Sequence, residues 1–488
     1  MVSDPEWNFK NYFHENRSAS KRPVAALLAR HEILSAPLKK LHSMFRRETQ
    51  RIAALAWPIL VAQIAAIGMM IVDTVVLGHY ATKDLAAVAV GSGVYVAILF
   101  ALVGILQAVA PIVAHLVGAK EDHRVAGALQ QSFWLALALC VPGVLLLIHP
   151  DPILALASIE PEVEEKLRAY LWILAWGMPA ALFYRVFYYF CSALGRPRPL
   201  MVISFVGTFI HALLAWTLAH GAPGLPWGAL GALGCAVSNV VVNFFELGCA
   251  ALFLARSFAR YRPFSDWQAP RLAAQREMLR LGLPMGLSAF VEITSFTLIA
   301  LFLTPLGATV VAGHRVVANI AAVCYMLPLA LALATLAEVG QAAGAREWHR
   351  SRVVVAAGMT LAAVLSTLLG VLLWFSGQSL AALGSDDPAV RAVALGLIGY
   401  VAVYQFFDSA QTVAAHALRG YKITFLPMLA HIVCFWGIGL GGGWWLCFAA
   451  TPPMGVAGFW IGIVVSLVAA ALFICGILWH KIHDLPKD

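Results

Sequence analysis

The sequence predicts an all-α integral membrane protein, with twelve transmembrane helices in two pseudo-symmetric six-helix bundles. Three observations carry this prediction. The 488 residues are 61% apolar and only 12% charged, with a mean hydropathy of +0.81; soluble domains run about 45–50% apolar and about 25% charged. Twelve stretches are apolar over the roughly 20 residues needed to cross a bilayer. The chain also resembles itself at an offset of 226. An ordinary soluble enzyme, a disordered chain and a disulfide-stapled secreted domain are excluded. The eight cysteines are scattered through apolar stretches without a CxxC, and read as small apolar residues inside helices.

In order, the spans run 52–77, 86–117, 125–149, 167–191, 199–220, 228–255, 279–303, 308–341, 352–377, 390–418, 425–447 and 455–480. They are too long, and lack the ten-residue alternation, for an outer-membrane barrel. The expected organisation is a cytoplasmic tail 1–48, a bundle 49–255, an inter-bundle loop 256–278, a second bundle 279–480 and a cytoplasmic tail 481–488. The first tail has no apolar core of signal-peptide length. Its residues 24–47 read as a poorly ordered extension, with a basic amphipathic helix on the membrane surface as the second reading. Met44 would also serve as a start.

Placing the N-terminus in the cytoplasm puts 27 of 33 Lys and Arg on that side, among them Lys120, Arg124, Arg196, Arg198, Arg346, Arg350, Arg419 and Lys422. Only Lys83, Lys166, Arg168 and Arg391 fall outside, where acids such as Asp151, Glu160, Glu162, Glu164 and Glu165 collect. This split predicts both termini on the cytoplasmic side. It accounts for the net charge of +8 without nucleic acid.

The repeat pairs Pro58 with Pro284, Leu77 with Leu303, and "GAKED" from Gly118 with "GAREW" from Gly344. "SALGRPRPLM" ending at Met201 pairs with "HALRGYKITFLPM" ending at Met428, and Gly231 and Gly234 pair with Gly455 and Gly458. Six is an even number of crossings, so the two halves enter from the same side. Parallel duplicated bundles suit rocking around a central cavity.

Acids within spans are costly and therefore candidate functional groups. Asp73 lies in the first span, followed by Thr74. Glu292 lies near the middle of the seventh, with Thr294, Ser295 and Thr297 expected around it. Asp408 is mid-span in the tenth, with Tyr404 and Gln411 on its helical face. Such an acid can load and release a proton or hold a sodium ion. Glu338 reads as an interfacial ion-pair member near Arg346, Glu246 as a hydrogen-bonded structural acid with a polar path shared with Asn239 and Asn243 as its second reading, and Arg315 as snorkelling to the interface. Aromatic residues such as Phe290, Phe296, Tyr404, Phe406 and Phe407 are candidates to line a site for flat organic cations, with packing or lipid contact the simpler role for each.

The stretches "MMIVDTVVLGHYATKDLAAVAVGS", "PIVAHLVGAKED", "VVAGHRVVANIAA", "YQFFDSAQTVAAHALRGYK" and "GVAGFWIGI" resemble the multidrug and toxic compound extrusion (MATE) family, in its bacterial NorM-like branch. The resemblance implies export of cationic drugs and dyes driven by entry of Na⁺ or H⁺. It makes Asp73 the cation-binding acid of the first bundle, Glu292 and Asp408 those of the second, and Asn319 a further site residue. Sodium would sit at Asp73, or at Glu292 with Asp408. Where relatives carry an Asn in the fifth span, this chain has His211; an imidazole can itself take up a proton, which favours H⁺ there. Ala215, Ala66 and the pair His314–Arg315 are further departures.

The expected function is a secondary antiporter exporting drugs, dyes and antibiotics, without a cofactor and as a monomer in the bilayer. A flippase or exporter of a lipid-linked or amphipathic metabolite is the alternative, but it calls for a more basic cavity than Arg185 and Arg315 provide. A membrane enzyme is disfavoured, because no HExxH or GxSxG set occurs, and the missing GxxxxGK[ST] loop argues against ATP as the energy source.

Overall fold

The computed structural model describes residues 9–78, 80, 82–154, 161–221, 229–258, 261 and 263–486. The side chains of residues 9–39, 82, 83 and 86 lie outside that description, as do Glu160 and most of the amphipathic face expected in the first tail. The described residues hold helices and connecting turns and no strand. Among the described residues, twelve helices are long and apolar enough to cross a membrane.

α1 (Phe9–Gly78) is one helix that begins far ahead of its apolar stretch. The second span is two helices, α2 (Thr82–Leu106) and α3 (Val109–Gly118), broken at Gln107 and Ala108. Then follow α4 (Asp122–Ile148), the short α5 (Asp151–Leu154), α6 (Pro161–Ala193), α7 (Arg198–His220) and α8 (Ala232–Ser257). The second half comprises α9 (Leu272–Phe302), α10 (Ala308–Gly344), α11 (Trp348–Gly384), α12 (Pro388–Gly420), α13 (Phe425–His431) and α14 (Val456–His483). The eleventh span continues α13 as a π-helical stretch, Ile432–Gly442. Glycines on both sides let α14 in: a Cβ on Gly462 of α14 would sit 2.7 Å from the Gly439 carbonyl oxygen, and one on Gly443 of the eleventh span 2.9 Å from the Phe459 ring.

The repeat is visible in the backbone. Lys120 and Arg346, 226 apart, both turn through a left-handed conformation, at φ 59° and 58°. Gly195 and Lys422 do the same at 68° and 61°, and Gly231 and Gly455 at 55° and 59°. α2 packs on α9, and α1 on α10, so the first two spans of each half meet those of the other in reciprocal contacts across the seam.

That seam is tightest at the end carrying the Lys- and Arg-rich turns, called here the basic end. A Cβ on Gly118 would lie 2.0 Å from the Gln341 carbonyl oxygen; one on Gly344 would lie 2.2 Å from that of His115. His115 Nε2 is 2.8 Å from the Gly420 carbonyl oxygen ending α12, and Gln341 Nε2 donates to the Ala193 carbonyl ending α6, also at 2.8 Å. Each half thus caps a helix of the other. One apolar core joins the first half to Ala330–Val339, Val354–Ala362 and Val413–Leu418 of the second. A separate core, running from Val291 to Leu467, fills the far end of the second half. The halves share packing at the basic end and keep separate cores at the other.

Candidate functional site

Asp73 lies in the last two turns of α1. α7 packs along α1 and α8 along α7, and Thr208 on α7 donates to the Ala65 carbonyl at 2.8 Å, fastening the two helices below the acid. This brings His211 Nε2 to 3.0 Å from Asp73 Oδ1 and His211 Nδ1 to 2.9 Å from Ser238 Oγ on α8. Ser238 Oγ is also 3.1 Å from the His211 carbonyl oxygen. His211 and Ser238 are fully buried, and Asp73 is 7% exposed.

The Ser238 hydroxyl has one proton and two acceptors to choose between. If it donates to Nδ1, then Nε2–H donates to an ionised Asp73. If it donates to the carbonyl, Nδ1–H must donate to Oγ. The Asp73–His211 pair then holds one proton more, as imidazolium facing carboxylate or as a carboxyl donating to Nε2. The two arrangements differ by one hydroxyl rotation and one proton, with the heavy atoms in place.

The second half assembles a different site. Gln411 Nε2 donates to Asp408 Oδ1 at 3.0 Å and to Thr412 Oγ1 at 2.9 Å, while His431 Nε2 lies 3.0 Å from Gln411 Oε1. That oxygen only accepts, so the His431 proton is on Nε2. Asp408, Gln411, Thr412 and His431 are all buried. Glu292 on α9 lies against Tyr325 of α10 and within electrostatic reach of Asp408. Two like charges within reach of each other repel, and a bound cation or a proton relieves the repulsion.

The structure therefore brings His211 to Asp73, Gln411 to Asp408, and Glu292 within reach of Asp408. Other expected residues fall elsewhere. Tyr404 stacks on Trp460, ring centroids 6.4 Å apart and 9° from parallel. Asn319 is exposed on α10. The hydroxyls expected around Glu292 turn back on their own helix instead: Thr294 donates to the Phe290 carbonyl, Ser295 to Val291 and Thr297 to Ile293. Such back-bonding is the default for a hydroxyl inside an apolar helix.

Glu246 sits within electrostatic reach of Arg185 and beside Ser204, which in turn lies 3.1 Å from the Tyr184 hydroxyl. Glu338 forms ion pairs with Arg350 at 2.5 Å and Arg51 at 3.8 Å. The partner is Arg350 rather than the expected Arg346, because the turn at Arg346 leads into α11 and α11 lies against α10 and α1. Arg419, counted from sequence among the loop cations, is 7% exposed and inside α12. Sequence reading also missed Ser238, Tyr325, Thr412, His416 and His431. The polar stripe 408, 411, 412, 416 and 419, spaced by three and four, was the signal available for α12.

The MatE family model matches residues 58–217 and again 284–445, its two starts 226 apart. This chain belongs to the MatE family. It is 56% identical to a probable multidrug resistance protein NorM of Aromatoleum aromaticum, over 89% of this chain and 94% of the relative. It is 36% identical to one from Chromobacterium violaceum, over 88% and 92%, and 32% identical to the multidrug resistance protein MdtK of Photorhabdus laumondii, over 88% and 95%. The fold matches that of the eukaryotic MATE transporter AtDTX14 (TM-score 0.82, 19% identity, 90% and 98% coverage). It also matches the Vibrio cholerae MATE transporter VcmN in the bent form (TM-score 0.80, 15% identity, 90% and 98% coverage). The chain is a multi-pass bacterial membrane protein, a MATE multidrug efflux transporter and not an enzyme.

Proposed function

We propose that this MATE transporter exports organic cations by antiport, and that the Asp73–His211 pair of the first half carries H⁺ as the coupling ion. The observation that carries the reading is the hydrogen-bonded line Asp73–His211–Ser238, two titratable groups backed by a rotatable hydroxyl and closed off from solvent. The imidazole fills the place where a neutral ligand would complete a sodium shell, and it offers a proton acceptor instead. Glu292 and Asp408 form the second cation site, open to Na⁺, H⁺ or the drug. Asn319 and the aromatic residues of spans seven and ten other than Tyr404 contact the drug.

In this reading the protein is a monomer in the inner membrane with both termini cytoplasmic, and bundles 49–255 and 279–480 rock about the seam. Ions moving inward gain about 2.3 kcal/mol per charge per 100 mV. Occupation of the acids by the ion releases the drug, and release of the ion inward frees them for the next cation. Purified protein in liposomes, given H⁺ and Na⁺ gradients separately, tests this. Wild type is expected to respond to the H⁺ gradient. His211→Asn is expected to lose about tenfold of that response, roughly the 1.4 kcal/mol of a charge-assisted hydrogen bond. Equal H⁺ drive in the two proteins sinks the assignment.

A further inference from the structure

Where the second span breaks, Gln107 faces α12 of the other half. Arg419 Nη1 donates to Gln107 Oε1 at 2.8 Å and lies 2.9 Å from His416 Nε2; Gln107 Nε2 is 3.1 Å from the same His416 nitrogen. His416 Nδ1 lies 2.8 Å from the Thr412 carbonyl oxygen, which can only accept. The ring proton is therefore on Nδ1, and the Nε2 lone pair receives both donors. Gln107, His416 and Arg419 are 6%, 4% and 7% exposed. Among the described residues Arg419 forms no ion pair; its guanidinium bonds neutral partners. Side chains on a helix lean toward its N-terminus, so Arg419, at the C-terminal end of α12, reaches back into the interior and not out to the turn.

Two further features set this cluster apart. It is continuous with the second acid site: Asp408 accepts from Gln411, Gln411 also donates to Thr412, and the Thr412 carbonyl takes the His416 proton. It is also one-sided. The glycine crossings and helix caps of the seam occur in reciprocal pairs, but the repeat counterparts of Gln107, His416 and Arg419 are Leu333, Tyr189 and Ser192. The duplication does not require it.

We propose that Gln107, His416 and Arg419 are positioning residues that bolt the two halves together at the basic end, and that the chain of bonds along α12 ties the bolt to the occupancy of Asp408. The proposal rests on the reading of a seam that opens and closes during transport. Opening here parts Gln107 from α12 and leaves the guanidinium short of acceptors. Carboxylates emptied of their cation offset that loss, since Glu292 is within electrostatic reach of Arg419. Empty acids therefore favour the drawn bolt, and occupied acids the closed one.

Hydrogen–deuterium exchange on the full-length protein, followed in residues 107–118 and 338–346, tests this. Drug affinity and thermal unfolding are measured on the same preparations. Gln107→Leu removes both bonds at similar size; exchange at the seam is expected to speed up by about tenfold while drug Kd stays within about twofold. Gln107→Glu puts a carboxylate on Arg419; exchange is expected to fall below wild type and efflux to drop by about fivefold. A merely structural disturbance would speed exchange in both variants, and that result, or no change in either, overturns the bolt. Asp408→Asn, which mimics an occupied acid, is expected to slow exchange at the seam; unchanged exchange overturns the link to Asp408. If gradients fail to drive transport while the Gln107 variants behave as expected, the antiport reading falls and the bolt stands.

Discussion

The first half holds its acid at Asp73, bonded to His211 and Ser238; the repeat counterparts of these three in the second half are Ile299, Ile438 and Gly462. The second half holds Glu292 and Asp408 where the first has Ala66 and Ala181. Yet Tyr184 bonds Ser204 in one half as Gln411 bonds His431 in the other, from matching positions. Duplication supplied a common frame of contacts between neighbouring helices, and the ionisable groups were placed on it independently. The two acid clusters differ in partners and chemistry, and under the proposed function they can take different cations.

The largest expected effect tests whether the two sites are alternatives. Asp73→Asn and Asp408→Asn should each lower dye efflux from cells by about tenfold or more at matched protein levels, a factor worth about 1.4 kcal/mol. Loss in only one of them would assign the whole coupling to that half. The seam should respond in the opposite, symmetric manner. Gly118→Ala and Gly344→Ala each drive a methyl into a carbonyl of the other half, and each should cost about 1–3 kcal/mol of stability. A thermal unfolding midpoint that falls for one and holds for the other would break the reciprocity of the basic end. The smallest effect sharpens the first site alone. Ser238→Ala removes the hydroxyl that lies within reach of both Nδ1 and the carbonyl of His211, worth about 1 kcal/mol. The proton concentration for half-maximal drive should shift by roughly fivefold with sodium response unchanged; an unshifted pH profile would reduce Ser238 to packing.

The architecture was legible from the sequence because hydropathy and the repeat are properties of long stretches, insensitive to any one residue. The twelve spans, the duplication and the acids at 73, 292 and 408 all follow from them. Partners were less legible. His211 was found through a departure from a family pattern, but Ser238 sits in a run of small and apolar residues that marks no site. The break at Gln107 gave no signal either, since Gln107 is a single amide in an otherwise continuous apolar stretch. Arg419 was misplaced for a physical reason: a cation one residue from a turn reads as exposed, and only the direction of its side chain sends it inward. The hydroxyls near Glu292 erred the other way, because proximity in sequence does not compete with a carbonyl one turn back on the same helix.

The left-handed turns carry a lesson about descent. Immediately after an internal duplication, every turn existed as two identical copies. At 120 and 346 both copies are basic; at 195 and 422 one is glycine and the other lysine, with φ still within a few degrees. Lys422 holds the conformation despite its Cβ and uses its ammonium on Glu277, 2.8 Å away. What has been inherited at these corners is a dihedral angle, and the residue occupying it has been free to change.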